Sequence, residues 1–190
     1  QLLDLGGGYG VRYTDADPAV DIAANIASLA EAIRSTCCEL ELPVPAVLLE
    51  PGRSIVADAG LTVYTCTSVK NAGKTSYVAV DGGMPDNPRF ALYEASYKVR
   101  NVTRAAEEGT RLYTIAGRCC ESGDLIQKNV SLPETKRGDF IAVETTGAYN
   151  YSMASNYNRL PRPAVIMLDK NEEHIVVRRE TFGDILDNDL

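Results

Sequence analysis

The stretch Leu61-Thr62-Val63-Tyr64-Thr65-Cys66-Thr67-Ser68-Val69 marks a change of architecture along the chain. Most of its residues are β-branched or aromatic, as is typical of a strand, and the turn-forming Asn71-Ala72-Gly73 follows it. Similar patterns predict further strands at residues 77–80, 111–116, 125–130, 140–144, 164–168 and 174–178. Lys170-Asn171-Glu172 reads as a hairpin turn between the last two. Residues 59–190 are therefore predicted to form an antiparallel β domain, either a barrel or a sandwich.

Upstream of this stretch the pattern alternates strand and helix. Residues 2–5 and 47–50 are apolar runs that predict short buried strands. Between them, Asp17-Pro18 predicts a helix N-cap and first position, and apolar residues recur at helical spacing to about Glu39. A short helix is predicted near residues 53–59. This order is typical of a parallel sheet or a (β/α)₈ barrel, so residues 1–58 are predicted to be the closing βα units of an incomplete barrel. Because the chain opens within an apolar strand and without Met, we expect it to be part of a longer protein.

Composition indicates a folded protein. Of 190 residues 45% are apolar, and the formal net charge is −7, which disfavours binding to nucleic acids or anionic membranes. We expect no membrane span, because no apolar run reaches about 20 residues. The five cysteines are odd in number, include two adjacent pairs and lack zinc-site spacing, which indicates reduced thiols in a cytoplasmic protein and no metal site.

Two glycine motifs follow the predicted barrel strands. Gly6-Gly7-Gly8-Tyr9-Gly10 can present backbone N–H groups to a phosphate, and so can Gly52 of Glu50-Pro51-Gly52-Arg53. Arg53 adds a guanidinium that can bind a carboxylate. Barrel enzymes bind their ligands at the carboxyl ends of the strands. A tight turn in the first motif, and a capped helix start with a surface arginine in the second, are the structural alternatives.

Three segments of the β domain also carry candidate chemistry. A turn-rich loop at residues 81–93 holds Arg89 and Tyr93, which suit an anionic group. In the run Arg118-Cys119-Cys120-Glu121-Ser122-Gly123-Asp124 a thiol beside a carboxylate offers a proton donor and an ammonium partner. Residues 146–158 combine small residues with three tyrosines. An ordinary connection, a turn with buried cysteines and a corner of packed aromatic rings are the respective alternatives.

The only histidine, His174, lies in a predicted hairpin strand. We interpret it as a surface or packing residue, so a catalytic Cys–His pair is not expected.

The order and spacing of these five motifs resemble the fold-type III decarboxylases that use pyridoxal 5′-phosphate (PLP). The resemblance covers all 190 residues, but only the back half of such enzymes. Within the family, Cys120-Glu121-Ser122-Gly123-Asp124 is most similar to the diaminopimelate decarboxylases, since ornithine and arginine decarboxylases usually carry an aspartate where this chain has Glu121. The resemblance implies an amino-terminal (β/α)₈ barrel, a carboxy-terminal β domain and PLP as cofactor. It also implies a lyase of lysine biosynthesis that converts meso-diaminopimelate to L-lysine and CO₂.

The resemblance also implies a role for each site residue. The phosphate of PLP would be held by Gly8 and by the run Glu50, Pro51, Gly52 and Arg53, mainly through such backbone N–H groups as these residues have. Tyr149 would contact both cofactor and substrate. The unreactive end of the substrate would meet Arg53, Arg89 and Tyr93 through its carboxylate and Glu121 through its ammonium. Cys120 would donate the proton to the carbon that loses CO₂. In this family Cys120 and Glu121 reach across a homodimer interface into the partner's site, whereas Cys119 is interpreted as a packing residue.

Two departures from the family pattern bear on activity. No lysine precedes Lys70, and none of the six lysines lies in a site motif, so the lysine that holds PLP covalently is not found here. The histidine that stacks on the cofactor ring is also absent. We therefore expect an enzyme in the longer protein and no activity in these residues alone. An ornithine- or arginine-type decarboxylase, or a non-catalytic relative kept for dimerisation, are the alternatives. Unpaired strand edges in the first 60 residues predict association.

Overall fold

The computed structural model describes all 190 residues. Its strands are β1 (Leu2–Asp4), β2 (Ala46–Leu48), β3 (Leu61–Ala72), β4 (Thr75–Val80), β5 (Val99–Asn101), β6 (Arg111–Ala116), β7 (Leu125–Leu132), β8 (Phe140–Glu144), β9 (Val165–Asp169) and β10 (Glu172–Val177). Its α-helices are α1 (Ile22–Glu39), α2 (Arg53–Val56), α3 (Arg89–Tyr93) and α4 (Phe182–Leu186), and single 3₁₀ turns occupy Tyr151–Met153 and Tyr157–Arg159. The predicted strands are all present, and most boundaries agree within two residues.

One six-stranded sheet dominates the molecule, in the order β5-β8-β3-β4-β6-β7. The edge strands β5 and β7 come within 8 Å of each other between Cα atoms, so the sheet curls towards a closed barrel. The prediction of a wholly antiparallel domain was wrong at one pair, because β4 runs parallel to β6. Parallel neighbours require a long crossover. Residues 81–110, which include α3 and β5, provide it.

A core of thirteen buried residues fills the interior of this sheet. Val78, Val80, Ile115, Ile126 and Ile141 are fully buried, and Val78 and Val80 alternate with more exposed neighbours as expected for a strand with one inner face. Each such side chain contributes about 1.5–3 kcal/mol through burial.

The amino-terminal part is a βαβ unit in which β1 pairs in parallel with β2. Its helix starts later than predicted. Asp21, not Asp17, is the N-cap of α1, and its carboxylate accepts a hydrogen bond from the Ala24 amide at 2.9 Å. The Asp17 carboxylate already accepts hydrogen bonds from the Tyr13 and Thr14 amides, so it closes a turn before the helix.

The two predicted barrel strands are exposed, contrary to the expectation that they would be buried. Leu2 is 67% exposed and Leu48 45% exposed, and α1 has no buried residue. Parallel sheets normally have both faces covered. Within residues 1–190 this parallel sheet consists of β1 and β2 alone. Helix α2 ends at Val56, short of the predicted residue 59.

A hairpin of β9 and β10 follows the main sheet, and Lys170 at its turn has a φ of 56°. Glu180 joins the two ends of this hairpin, since its carboxylate accepts hydrogen bonds from the Arg162 amide at 2.8 Å and the Asn156 side chain at 2.7 Å. His174 lies exposed on β10, as interpreted from the sequence. None of the helices is both long and apolar enough to cross a membrane.

Candidate functional site

The two glycine motifs meet at the carboxyl ends of β1 and β2. The Glu50 amide donates a hydrogen bond to the Gly6 carbonyl at 2.7 Å, which fixes the loops side by side. Position 7 has no room for a side chain, because a Cβ there would collide with the Glu50 carbonyl. Gly8 adopts a φ of 97°, in the left-handed region that favours glycine. Gly8 and Glu50-Pro51-Gly52 therefore lie in adjoining loops, as the strand pattern predicts.

The segment that carries Tyr149 docks directly on this edge. The Gly147 amide donates to the Ala57 carbonyl at 3.0 Å, and the Thr146 amide donates to the Gly60 carbonyl at 2.9 Å. The Tyr149 hydroxyl lies against Gly52, where any Cβ would displace it. Two loops far apart in sequence thus meet with backbone in contact.

Two arginines converge on the Tyr149 ring. The guanidinium carbon of Arg53 lies 5.6 Å from its centroid, and that of Arg89 lies 5.8 Å from it. Arg89 also lies 5.2 Å from the Tyr93 ring centroid. The loop predicted at residues 81–93 contains α3, so Arg89 and Tyr93 share one helix face at i, i+4 spacing. The structure therefore brings Arg53, Arg89, Tyr93 and Tyr149 together; we call them the arginine–tyrosine cluster.

The cluster carries positive charge with no carboxylate partner. Every ion pair of the chain involves other cations, and neither Arg53 nor Arg89 takes part in one. Arg89 is only 7% exposed, and its Nε has no hydrogen-bond partner. Buried charges are normally paired, so two adjacent unpaired guanidinium groups suit an anion such as a carboxylate or a phosphate.

Cys120 and Glu121 lie outside this cluster. The Cys120 amide donates to the Asn158 side chain at 3.0 Å, and Glu121 accepts a hydrogen bond from the Tyr157 hydroxyl at 3.4 Å. No hydrogen bond or ion pair joins either residue to Arg53 or Arg89. The structure thus separates the predicted site residues into two groups.

The adjacent cysteines differ in their surroundings. Cys119 is half-buried, and burial together with the nearby Asp124 carboxylate raises its pKa to about 11. Cys120 is exposed. The thiol that the sequence marks as a proton donor is therefore the accessible one, and Cys119 is held as a neutral packing residue.

Three residues that contact the site residues were given no role by the sequence motifs. The buried Asp124 carboxylate accepts hydrogen bonds from the Met84 amide at 2.6 Å and the Cys119 amide at 2.7 Å, and so ties the cysteine turn to the loop before α3. Its presence in the string that ends Gly123-Asp124 was the available signal. Tyr13, whose ring lies beside the Arg53 guanidinium, and Tyr97, whose ring packs on that of Tyr13, belong to no motif, and their sequence neighbours give no indication of a role.

Comparison with known proteins identifies the family. The family model described as "Pyridoxal-dependent decarboxylase, C-terminal sheet domain" matches residues 15–147. The chain belongs to this family. Over its whole length the chain is 48% identical to a diaminopimelate decarboxylase of Bacillus subtilis, of which it covers 44%. It is also similar in structure to diaminopimelate decarboxylase from Helicobacter pylori complexed with L-lysine, with a TM-score of 0.86 and 32% identity over 98% of this chain and 44% of that one. The chain thus spans less than half the length of the relatives it matches, and the predicted family is confirmed.

A lysine/ornithine decarboxylase from Vibrio vulnificus complexed with cadaverine is less similar. It gives a TM-score of 0.71 and 28% identity over 85% of this chain and 41% of that one.

Proposed function

We propose that this chain is the carboxy-terminal part of a PLP-dependent lyase that decarboxylates meso-diaminopimelate to L-lysine. In this proposal residues 1–58 close a PLP-binding (β/α)₈ barrel and residues 59–190 form the β domain that carries substrate-binding and proton-donating groups. The observation that carries it is the pair of arginines over Tyr149 without a carboxylate of their own. Family membership supports it, and a cytoplasmic location, as expected from the free cysteines, is part of the proposal.

The residues at the glycine loops fit the phosphate of PLP. Gly8 adopts a left-handed φ and Gly7 packs against the Glu50 carbonyl, so neither residue has a side chain that could cover the backbone N–H groups of this loop. Gly8 and the run Glu50-Pro51-Gly52-Arg53 would hold the phosphate, and Tyr149 would contact the cofactor. In that run the amides of Gly52 and Arg53 would serve, because Pro51 has no N–H and the Glu50 amide already donates to the Gly6 carbonyl. PLP when bound supplies an electron sink for breaking the bond to the carboxylate. All six lysines follow residue 69 in the sequence; among them, Lys98 pairs with Asp15 and Lys128 lies over the Phe90 ring.

The substrate has an amino-acid group at each end, and only one of them reacts. Arg53, Arg89 and Tyr93 would bind the carboxylate of the other end, and Glu121 would accept its ammonium. Cys120 would donate the proton that replaces the departing CO₂. Because no hydrogen bond or ion pair joins Cys120 or Glu121 to Arg53 or Arg89, we propose a homodimer in which each subunit supplies Cys120 and Glu121 to the site of its partner.

A diamine-forming decarboxylase is the alternative candidate, and the Vibrio structure shows that such enzymes share this fold. Its substrates end in an ammonium or guanidinium group without a carboxylate. Placing such a group beside Arg53 and Arg89 would set like charges together in a partly buried site, which is costly. The cluster therefore favours a substrate with a distal carboxylate.

A chimera tests the proposal. Residues 1–190 would replace the matching segment of the Bacillus subtilis relative, and CO₂ and lysine would be measured with meso-diaminopimelate, ornithine, lysine and arginine as substrates. We expect kcat/KM for diaminopimelate to exceed the others by roughly a hundredfold or more, because unpaired polar groups in the site penalise the shorter substrates. Equal turnover of ornithine would favour the alternative, and a folded chimera that decarboxylates none of them would refute both.

A further inference from the structure

We infer that Tyr13 is a positioning residue for Arg53: its ring holds the guanidinium in place and so sets the affinity for the distal carboxylate. The effect on carboxylate affinity rests on the proposed function, whereas the placement of Arg53 by Tyr13 does not. Tyr13 lies between the glycine loop and α1, in a stretch to which no role was assigned.

Arg53 has two aromatic neighbours of different character. Its guanidinium carbon is 5.4 Å from the Tyr13 ring centroid and 5.6 Å from the Tyr149 ring centroid. Tyr149 is 40% exposed and itself adopts a left-handed backbone conformation, with a φ of 63°. Tyr13 is partly buried and packs against the main core. Of the two rings, Tyr13 is therefore the one anchored to the interior.

That anchoring runs through Tyr97. The Tyr13 and Tyr97 rings meet edge to face, with centroids 5.3 Å apart and an interplanar angle of 89°. Such pairs are favoured by the ring quadrupoles. Tyr97 is only 3% exposed, and its hydroxyl donates to the Asn150 side chain at 3.4 Å. Asn150 follows Tyr149 in the chain, so the contacts form a closed circuit from Arg53 through Tyr13, Tyr97 and Asn150 back to Tyr149.

Two backbone ties place Tyr13 at the junction between the βαβ unit and the main sheet. Its carbonyl accepts a hydrogen bond from the Lys98 amide at 3.2 Å, and its own amide donates to the Asp17 carboxylate at 3.1 Å. The ring therefore has little freedom to move away from Arg53. A long arginine side chain otherwise loses conformational entropy when it binds a carboxylate, and a ring that already confines it lowers that loss.

The ring, not the hydroxyl, carries this role. The Tyr13 hydroxyl is buried and has no hydrogen-bond partner. Tyr13→Phe should therefore preserve the function, whereas replacement of the ring by Leu should remove it. This contrast separates positioning from a direct bond between the hydroxyl and a ligand, which would make Tyr13→Phe as damaging as Tyr13→Leu.

The first test is structural and needs neither cofactor nor activity. In the 190-residue chain the Arg53 Nε–H resonance, assigned by its disappearance in Arg53→Lys, should show an upfield ring-current shift. We expect Tyr13→Phe to keep most of this shift and Tyr13→Leu to reduce it. Tyr77→Leu, on β4 and away from the cluster, is the matched control and should leave the resonance in place. An Arg53 resonance that does not respond to Tyr13→Leu would overturn the inference.

The second test is kinetic and uses the chimera. Position 13 would carry Phe and then phenylalanines with increasing numbers of ring fluorines, which keep the ring's shape and remove the negative charge of its face. KM for diaminopimelate should rise stepwise to roughly five- to tenfold, as expected for a cation–π contact, with kcat within about twofold. A flat KM across the series would refute the role of Tyr13. A wild-type chimera without decarboxylase activity would instead refute the proposed function, and the resonance of Arg53 would still decide the position of Tyr13.

Discussion

At the scale of single residues, Cys119 and Cys120 should react very differently although they are adjacent. With its pKa raised to about 11 from an ordinary 9.0, the Cys119 thiol has a thiolate fraction about a hundredfold lower at pH 8. Cys120 is exposed. We predict that iodoacetamide modifies Cys120 at least about tenfold faster, measured by mass spectrometry on Cys119→Ser and Cys120→Ser variants. Raising the pH towards 11 should accelerate the modification of Cys119; similar rates of the two thiols at pH 8 would contradict the assigned environments.

Asp86 gives a second prediction at this scale. Burial raises the pKa of its carboxyl to about 6 from an ordinary 3.8, although the Tyr64 hydroxyl donates a hydrogen bond to it. The folded chain therefore binds more protons than the unfolded chain between these values, and the contribution of Asp86 to stability falls as pH rises through this window and is constant above it. Asp86→Asn should remove this dependence.

Urea unfolding at pH 4 and pH 7 measures the effect of Asp86→Asn. The free energy of unfolding of the variant, relative to wild type, should increase by about 2–3 kcal/mol from the lower to the higher pH. Asp169→Asn, on the exposed end of β9, is the control and should show no such trend. If Asp86→Asn is equally destabilising at both pH values, its hydrogen bonds matter more than its charge.

At the scale of elements, Asp124 fastens the cysteine turn to the loop that leads into α3. Asp124→Ala removes the acceptors of the Met84 and Cys119 amides. Because both bonds are made to a buried carboxylate, we expect a loss of about 3 kcal/mol in the free energy of unfolding. Hydrogen exchange at the same two amides should also become faster. Asp169→Ala is the surface control, and a loss no larger than that of this control would show that other contacts hold the turn.

The strands could be predicted from sequence because their periodicity and turn residues are local. Residues 111–116 and 140–144 were predicted with the observed boundaries, since alternating apolar positions in each point into the core. The parallel pairing of β4 with β6 could not be predicted, because it depends on a crossover that only the folded chain reveals. The helix start at Asp21 was missed because Asp17 is equally suited to capping and is used in a turn instead.

The site residues also divide into those that the sequence predicts and those that it does not. Its motifs were found because glycines, arginines and the Cys120-Glu121 pair are chemically specific. Tyr13 and Tyr97 were missed because aromatic residues in a loop or short strand usually serve packing. Tyr13 meets Arg53 from 40 residues away in the sequence and Tyr97 from 84 residues away, and no local pattern encodes such contacts.

At the scale of the whole molecule, the distribution of site residues bears on assembly. Arg53 and Tyr149 lie together at the junction between the βαβ unit and the sheet, while Cys120 and Glu121 contact Tyr157 and Asn158. Within one subunit no hydrogen bond or ion pair joins Cys120 or Glu121 to Arg53 or Arg89. The proposed dimer, in which a second subunit supplies Cys120 and Glu121, is compatible with this arrangement and can be tested.

Complementation between two inactive chimeras tests this arrangement. Arg53→Ala disables the carboxylate-binding group and Cys120→Ala the proton donor, and each homodimer should lose most of its decarboxylase activity. When equal amounts are mixed and allowed to exchange, half of the dimers are mixed, and one of their two sites receives both intact groups. Activity should therefore recover to about a quarter of the wild-type value, as random pairing of subunits in a twofold dimer requires. Native mass spectrometry would verify the exchange. The control is the double variant Arg53→Ala/Cys120→Ala mixed with wild type. In its mixed dimers one shared site lacks Arg53 and the other lacks Cys120, so neither site should be active. Exchange without recovery would place Cys120 in the site of its own subunit and rule out the shared arrangement.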